Sequence, residues 1–139
     1  MLDFSSLKKA IISFKSAITV AKSEKEMSGM SKEARDTIKA GVIQNFEFTY
    51  ELCWKFMKRW LEINLGSTYV DGVSRKELFR IAAEHQIINN VEEWMEYHEC
   101  CNKTAHIYDL AIANEVFETA VKFIKDAEIL LSNLQAKNA

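Results

Sequence analysis

The side chains best suited to chemistry are concentrated in one short segment, residues 101–108. If this segment is helical, Asn102 and His106 lie four residues apart on one ridge, and Cys101 and Tyr108 lie on the next. An imidazole titrates near neutral pH and can act as an acid or a base, and an amide can orient a ligand or the imidazole. The spacing predicts a ligand-binding row of these four residues, with His106 and Asn102 as catalytic candidates. The commoner role of such a histidine is simple packing at the edge of a bundle.

Side chains of the types that bind zinc also occur here: His98, Cys100, Cys101 and His106. Adjacent residues of a helix point about 100° apart, so the two neighbouring cysteines cannot both face one ion. The chain has three cysteines, an odd number, without the spaced pairs of a zinc site or a disulfide framework. We therefore expect no metal and no other cofactor, and a reducing, cytoplasmic location.

The longest predicted helix carries a charged strip and an aromatic cluster. Charged residues at helical spacing are most simply a solvated face. The aromatic rings could stack on a nucleic-acid base, worth about 1–3 kcal/mol per base, although core and subunit contacts are commoner roles for them. The charged residues are Glu47, Glu51, Lys55, Lys58, Arg59 and Glu62, and the aromatic residues are Phe46, Phe48, Tyr50, Trp54, Phe56 and Trp60.

The elements that must position these residues are helices. The 139 residues include no proline and four glycines, so the turn-rich punctuation of β-sandwiches and barrels is missing. Apolar residues at helical spacing predict an all-α, up-and-down bundle in one domain, residues 1–139. Ser31, Ser74 and Asp109 are predicted helix caps. The predicted helices cover residues 4–21, 32–64, 75–85 and 91–107, followed by one after Asp109; the helix over residues 75–85 is short and the other four are long.

The second of these helices is too long and too apolar for one small core. At about 1.5 Å per residue it would span about 50 Å, whereas a domain of this size has a radius of gyration of about 14 Å. It must bend, at Gly41, or extend beyond the globule. Its apolar arc covers about 200°, and one bundle core requires only about 100°. We therefore expect half of this arc to be covered by a second molecule.

The overall charge argues against some partners. The net charge of −2 gives no general reason to expect duplex nucleic acid, so any RNA contact would be local. No stretch approaches 18 consecutive apolar residues, and the first residues lack a basic region followed by an apolar run. We expect no membrane association. A glycine-rich phosphate loop and a recognisable serine nucleophile are also missing from the sequence, so the chain has no visible means of activating a nucleotide.

Several segments together resemble the nucleotidyltransferase substrate-binding protein family, a branch of the HEPN superfamily of helical bundles. The resemblance covers residues 4–134, nearly the whole chain. It is carried by Phe46-Glu47-Phe48-Thr49-Tyr50-Glu51-Leu52-Cys53-Trp54-Lys55, by Arg80-Ile81-Ala82-Ala83 with Ile87-Ile88, by Trp94, and by Asn102-x3-His106-x-Tyr108.

The resemblance implies a bundle of about five helices that forms a homodimer. It also implies a partner, a minimal nucleotidyltransferase that carries the carboxylates and metal of nucleotide transfer, usually encoded beside it in bacteria and archaea. In related members an Arg-x4-His pair, brought together across the dimer, is associated with metal-independent RNA cleavage, and the tyrosine two residues after the histidine can receive AMP. Carried over here, these positions are Cys101, His106 and Tyr108, with Asn102 following Cys101.

The cysteine at the arginine position is a departure from the pattern. A thiol cannot stabilise phosphate charge as a permanently cationic guanidinium does, and Lys103 projects about 160° away from Cys101. We therefore expect a substrate-binding subunit without catalysis of its own, which docks the nucleotidyltransferase and presents a nucleotide or Tyr108. The competing hypothesis is a HEPN-type, metal-independent ribonuclease toxin of a toxin–antitoxin pair, weakened by Cys101. A third is a scaffold whose polar row is structural.

Overall fold

The computed structural model describes residues 2–137, apart from the side chain of Glu24, and this part of the chain is helical without strands. Five helices of ten residues or more confirm the predicted all-α bundle of four long helices and one short helix. A single extra helical turn lies in the segment predicted as a connection. The helices are α1 Ser5–Lys22, α2 Glu24–Met27, α3 Lys32–Leu65, α4 Arg75–Glu84, α5 Val91–Asn102 and α6 Leu110–Lys137, with 3₁₀ turns at Ser67–Tyr69 and Thr104–His106.

Side-chain caps determine where the helices begin. Ser31 and Ser74 each accept a hydrogen bond of 3.1 Å from the amide three residues later, at the starts of α3 and α4. Asp109 Oδ1 accepts from the amides of residues 111 and 112 at the start of α6. These contacts satisfy amides that have no partner within their own helix, and the three predicted caps are confirmed.

The core forms around α3, which packs against α1 and α6 and also contacts α4 and α5. Phe123 of α6 lies at its centre and is fully buried. Its ring centroid is 4.8 Å from that of Tyr97, 5.3 Å from that of Phe46 and 5.4 Å from that of Trp94, mostly in edge-on arrangements that aromatic rings favour. None of the helices over residues 2–137 is both long enough and apolar enough to cross a membrane.

The wide apolar arc of α3 is covered mainly within one chain. The surrounding helices approach α3 from several sides, so they bury far more than the stripe that one neighbour would cover. The expectation that half of the arc requires a second molecule is therefore wrong for most of its rings. Phe48 is 65% exposed, and Leu52 and Trp54 are partly buried. The buried members of the arc are Phe46, Tyr50, Cys53, Phe56, Met57, Trp60 and Leu61.

The length of α3 is accommodated by extension beyond the core. The helix continues without a break through Gly41, whose carbonyl accepts a hydrogen bond from Asn45 Nδ2 at 2.9 Å. None of residues 32–40 is buried. The N-terminal turns of α3 therefore extend beyond the buried core, where Lys32, Asp36 and Lys39 lie opposite the start of α6.

The predicted helix over residues 91–107 is shorter than expected, because α5 ends at Asn102. The amide of Lys103 bonds the Cys100 carbonyl at 3.0 Å, and the Thr104 hydroxyl donates to the Cys101 carbonyl at 2.8 Å. These local bonds satisfy the terminal carbonyls and convert the chain to a 3₁₀ turn. Asn102 and His106 therefore do not lie on one helical ridge, and that prediction is wrong.

Candidate functional site

A polar cleft of about 480 Å³ lies where α3, the start of α4 and the end of α5 meet. We call it the Arg75 cleft. Three of its residues, Tyr50, Arg75 and His98, come from three different helices and bond one another. The complete lining is Glu47, Phe48, Tyr50, Glu51, Arg75, His98, Cys101 and Asn102.

The Tyr50 hydroxyl joins the other two polar groups. Arg75 Nη1 donates to Tyr50 Oη at 3.0 Å, and Tyr50 Oη lies 2.9 Å from His98 Nδ1. Because the guanidinium has only donors, the hydroxyl accepts from it and can donate its own proton to Nδ1. Burial and then the Arg75 charge lower the pKa of His98, which favours this neutral, accepting imidazole. Burial raises the pKa of Tyr50, so its hydroxyl keeps the proton.

The guanidinium of Arg75 is held by stacking rather than by an ion pair. Its Cζ lies 3.7 Å from the ring centroid of Trp54. Within residues 2–137 it pairs with no carboxylate, and Tyr50 Oη is its one hydrogen-bond acceptor. The nearby Glu51 is engaged elsewhere: Oε2 accepts from Trp54 Nε1 at 2.9 Å, and Oε1 lies 3.5 Å from Lys55 Nζ. Arg75 thus presents a positioned cation with unused donors.

The four residues predicted as one row are divided between two places. Cys101, partly buried, and Asn102, exposed, line the Arg75 cleft. His106 and Tyr108 lie beyond the end of α5, with His106 Nδ1 3.3 Å from Tyr108 Oη. Tyr108 is 84% exposed.

Tyr108 lines a separate groove of about 280 Å³, which we call the Tyr108 groove. Its other wall is the projecting N-terminal part of α3, with Lys32, Asp36 and Lys39. The ammonium of Lys39 lies 5.6 Å from the ring centroid of Phe117. The groove therefore combines an exposed phenol with two lysines, a combination suited to contact with an anionic surface.

The cysteines have little reactivity in this setting. Burial raises the pKa of Cys101 and of Cys100, so both remain thiols at neutral pH, and the thiolate is the nucleophilic form. Within the described residues, no three histidine, cysteine, aspartate or glutamate side chains converge as a metal-binding group.

Sequence reasoning did not anticipate the trio of Tyr50, Arg75 and His98. The sequence placed Tyr50 in the aromatic cluster of the longest helix and His98 among residues of zinc-binding type, and Arg75 only follows the predicted cap Ser74. One signal was available: a tyrosine and a histidine on an apolar face each place a polar atom in the interior, where it must find a partner. The sequence could not identify that partner.

The chain matches the family "Nucleotidyltransferase substrate binding protein like" over residues 2–136, nearly its whole length. The protein belongs to this family, as its sequence motifs predicted.

Individual relatives agree with this placement. A Haemophilus influenzae structure, described as revealing the fold of a substrate binding domain of a nucleotidyltransferase, superposes with a TM-score of 0.92 at 28% identity, covering 96% of this chain and 99% of the other. A protein named probable ribonuclease HepT, from the same species, is 33% identical over 105 residues, which is 75% of this chain and 72% of the relative. A structure from Thermus thermophilus shares the fold, with a TM-score of 0.71 at 22% identity over 92% of this chain and 98% of the other.

Proposed function

We propose that this chain is the substrate-binding subunit of a two-component nucleotidyltransferase. It forms a homodimer that docks a minimal nucleotidyltransferase and presents a nucleotide, or Tyr108 itself, to the partner's active site. Family membership and the likeness to a nucleotidyltransferase substrate binding domain support the general role. The observation that carries the acceptor role is the exposed Tyr108 hydroxyl beside His106.

For AMP acceptance, Tyr108 supplies the nucleophile and His106 the base, and the partner supplies the bound ATP. The phenolic oxygen would attack the α-phosphorus of ATP held by the partner, forming an O–P bond as pyrophosphate leaves. His106 Nδ1, 3.3 Å from Tyr108 Oη, would take the phenolic proton. Lys32 and Lys39 line the same groove and would offset phosphate charge.

An apolar groove supports the proposed homodimer. It lies between α1 and α3, has a volume of about 610 Å³, and includes Ala10, Phe48 and Leu52. Phe48 also borders the Arg75 cleft, so a second copy on this groove would lie beside that cleft. Burying such a ring stabilises association, because apolar area leaves water.

Intact-mass measurement tests the acceptor role. Incubation with the minimal nucleotidyltransferase proposed as the partner, and with ATP, should add one AMP to the wild-type subunit and none to Tyr108→Phe. Tyr69→Phe is the matched control, because Tyr69 is also exposed, at 64%, but lies in the turn after α3. An unchanged wild-type mass would remove Tyr108 as the acceptor.

The ribonuclease alternative has specific support in the 33% identical relative named probable ribonuclease HepT. Against it, Cys101 occupies the arginine position of the motif, and His106 does not line the cleft that holds Arg75. We expect no cleavage of a mixed RNA substrate in EDTA. Cleavage by the wild type that is lost in His106→Ala would replace the subunit hypothesis with this one.

A further inference from the structure

The Arg75 cleft is separate from the Tyr108 groove. The proposed transfer of AMP to Tyr108 gives the Arg75 cleft no role. We propose that it binds a nucleoside monophosphate, with the phosphate on Arg75 and the base toward Phe48 and Glu47. This assignment rests on the proposed function, in which the subunit can present a nucleotide to its partner. It adds a specific site and a specific orientation to that function.

The phosphate end follows from the state of Arg75. A guanidinium binds phosphate best when its planar fork is already oriented, because less conformational freedom is lost on binding. Here Trp54 stacks beneath it at 3.7 Å and Tyr50 takes one of its donors. No carboxylate in the described chain competes for the remaining donors.

The acidic residues of the cleft limit where an anion can lie. Glu51 is bonded to Trp54 and paired with Lys55, so its charge is partly compensated. Glu47 is exposed and has no ion-pair partner within residues 2–137. Along α3 it precedes Tyr50 and Trp54, which both contact Arg75, by three and seven residues, or about 5 and 10 Å. The cleft is therefore positive at the Arg75 end and negative at the Glu47 end.

A nucleotide matches this polarity. Its phosphate is anionic, and the amino group of adenine, cytosine or guanine donates hydrogen bonds that a carboxylate accepts. Phe48 lines both the Glu47 end of the cleft and the groove between α1 and α3, so one face of its ring can stack on the base while the other faces the proposed second copy. The exposed amide of Asn102 can bond a base edge or a ribose hydroxyl. Uracil has no amino group, so the site should prefer AMP over UMP.

Calorimetric titration of the full-length chain in EDTA tests the phosphate end. AMP should bind the wild type, and Arg75→Gln should weaken this binding about tenfold or more, as for a lost charged hydrogen bond. Adenosine should bind more weakly than AMP and equally to both proteins. Arg59→Gln is the matched control, because Arg59 also stacks on a ring, Phe56 at 5.2 Å, but lies outside the cleft. Equal weakening in both variants, or no AMP binding by the wild type, would overturn the assignment.

Base selectivity tests the other end. Glu47→Ala, which removes the acceptor oxygens, should reduce the preference for AMP over UMP while binding still depends on the phosphate. Since Glu47 is exposed, this variant should fold normally. An unchanged preference in Glu47→Ala would contradict the orientation.

At the phosphate end, Arg75→Lys should bind AMP with intermediate affinity, because lysine keeps the charge but lacks the planar fork.

The experiments distinguish failure of the nucleotide site in the Arg75 cleft from failure of the proposed function. If the partner transfers AMP to Tyr108 but the isolated chain binds no AMP, the cleft assignment is wrong and the subunit role stands. If AMP binds through Arg75 but Tyr108 is never modified, the cleft assignment stands and the acceptor role is removed.

Discussion

At the scale of single residues, the Tyr50 hydroxyl connects three helices. It accepts from Arg75 of α4 and contacts His98 of α5, while its ring packs in the core 6.2 Å from that of Phe123. A phenylalanine at this position would keep the ring and remove only the hydrogen bonds of the hydroxyl with Arg75 and His98.

We expect Tyr50→Phe to lower the free energy of unfolding by about 1 kcal/mol, because Arg75 and His98 each lose a partner but can regain water at the cleft. Urea denaturation measures this change. The same variant should weaken AMP binding, since the guanidinium is no longer fixed. Tyr69→Phe, at an exposed tyrosine, should change neither quantity.

His98 should make stability depend on pH. Its folded-state pKa is lowered below 6.5, by burial first and by Arg75 second. The unfolded chain therefore binds the proton more readily, so His98 contributes stability above about pH 6.5 that is lost as the pH falls through and below that value. Between pH 7.5 and 5.5, His98→Gln should lose less unfolding free energy than the wild type. If the wild type and His98→Gln lost the same unfolding free energy over this pH range, His98 would not be the source of the pH dependence.

At the scale of elements, α3 contains one glycine, Gly41, and ends at another, Gly66, and the two have opposite effects on stability. Gly66 ends the helix with φ +97°, and its amide bonds the Glu62 carbonyl at 3.0 Å. Gly41 lies inside the helix, where an added Cβ would meet nothing within 4 Å.

Gly66→Ala should destabilise the protein by about 1–3 kcal/mol, because a side chain strains backbone in this region. Gly41→Ala should stabilise it by about 0.5–1 kcal/mol, because alanine restricts the unfolded chain and suits a helix interior. Thermal and urea denaturation of both variants provides the comparison. A Gly66→Ala protein as stable as the wild type would show that Gly66 is not required to end α3, and a destabilised Gly41→Ala protein would contradict the prediction for Gly41.

At the scale of the whole molecule, stability depends on a buried aromatic core, and the proposed homodimer depends on an exposed apolar groove. Phe123 is fully buried among rings from α1, α3 and α5, whereas Phe48 lies 65% exposed in the groove between α1 and α3. Truncating Phe123 should therefore affect folding stability, and truncating Phe48 should affect association.

Phe123→Ala should cost about 3–5 kcal/mol of stability, as a buried ring replaced by a cavity does. Phe48→Ala should leave the stability of the single chain nearly unchanged and shift the proposed homodimer toward monomer. Urea denaturation at low protein concentration and analytical ultracentrifugation measure the two effects. A Phe48→Ala protein that associates as strongly as the wild type would exclude this groove as the dimer contact.

The sequence by itself determined what depends on neighbours along the chain. The apolar periodicity and the caps at Ser31, Ser74 and Asp109 involve residues at most four positions apart, so most of the helices could be predicted. The family was predicted separately, from the resemblance of the motifs. Only the tertiary structure decided which rings of α3 are buried, because burial depends on how many helices surround it. It also assembled Tyr50 with Arg75 and His98, which lie 25 and 48 residues away in the chain. Contacts at such separations are set by helix packing, and spacing along one helix carries no record of them.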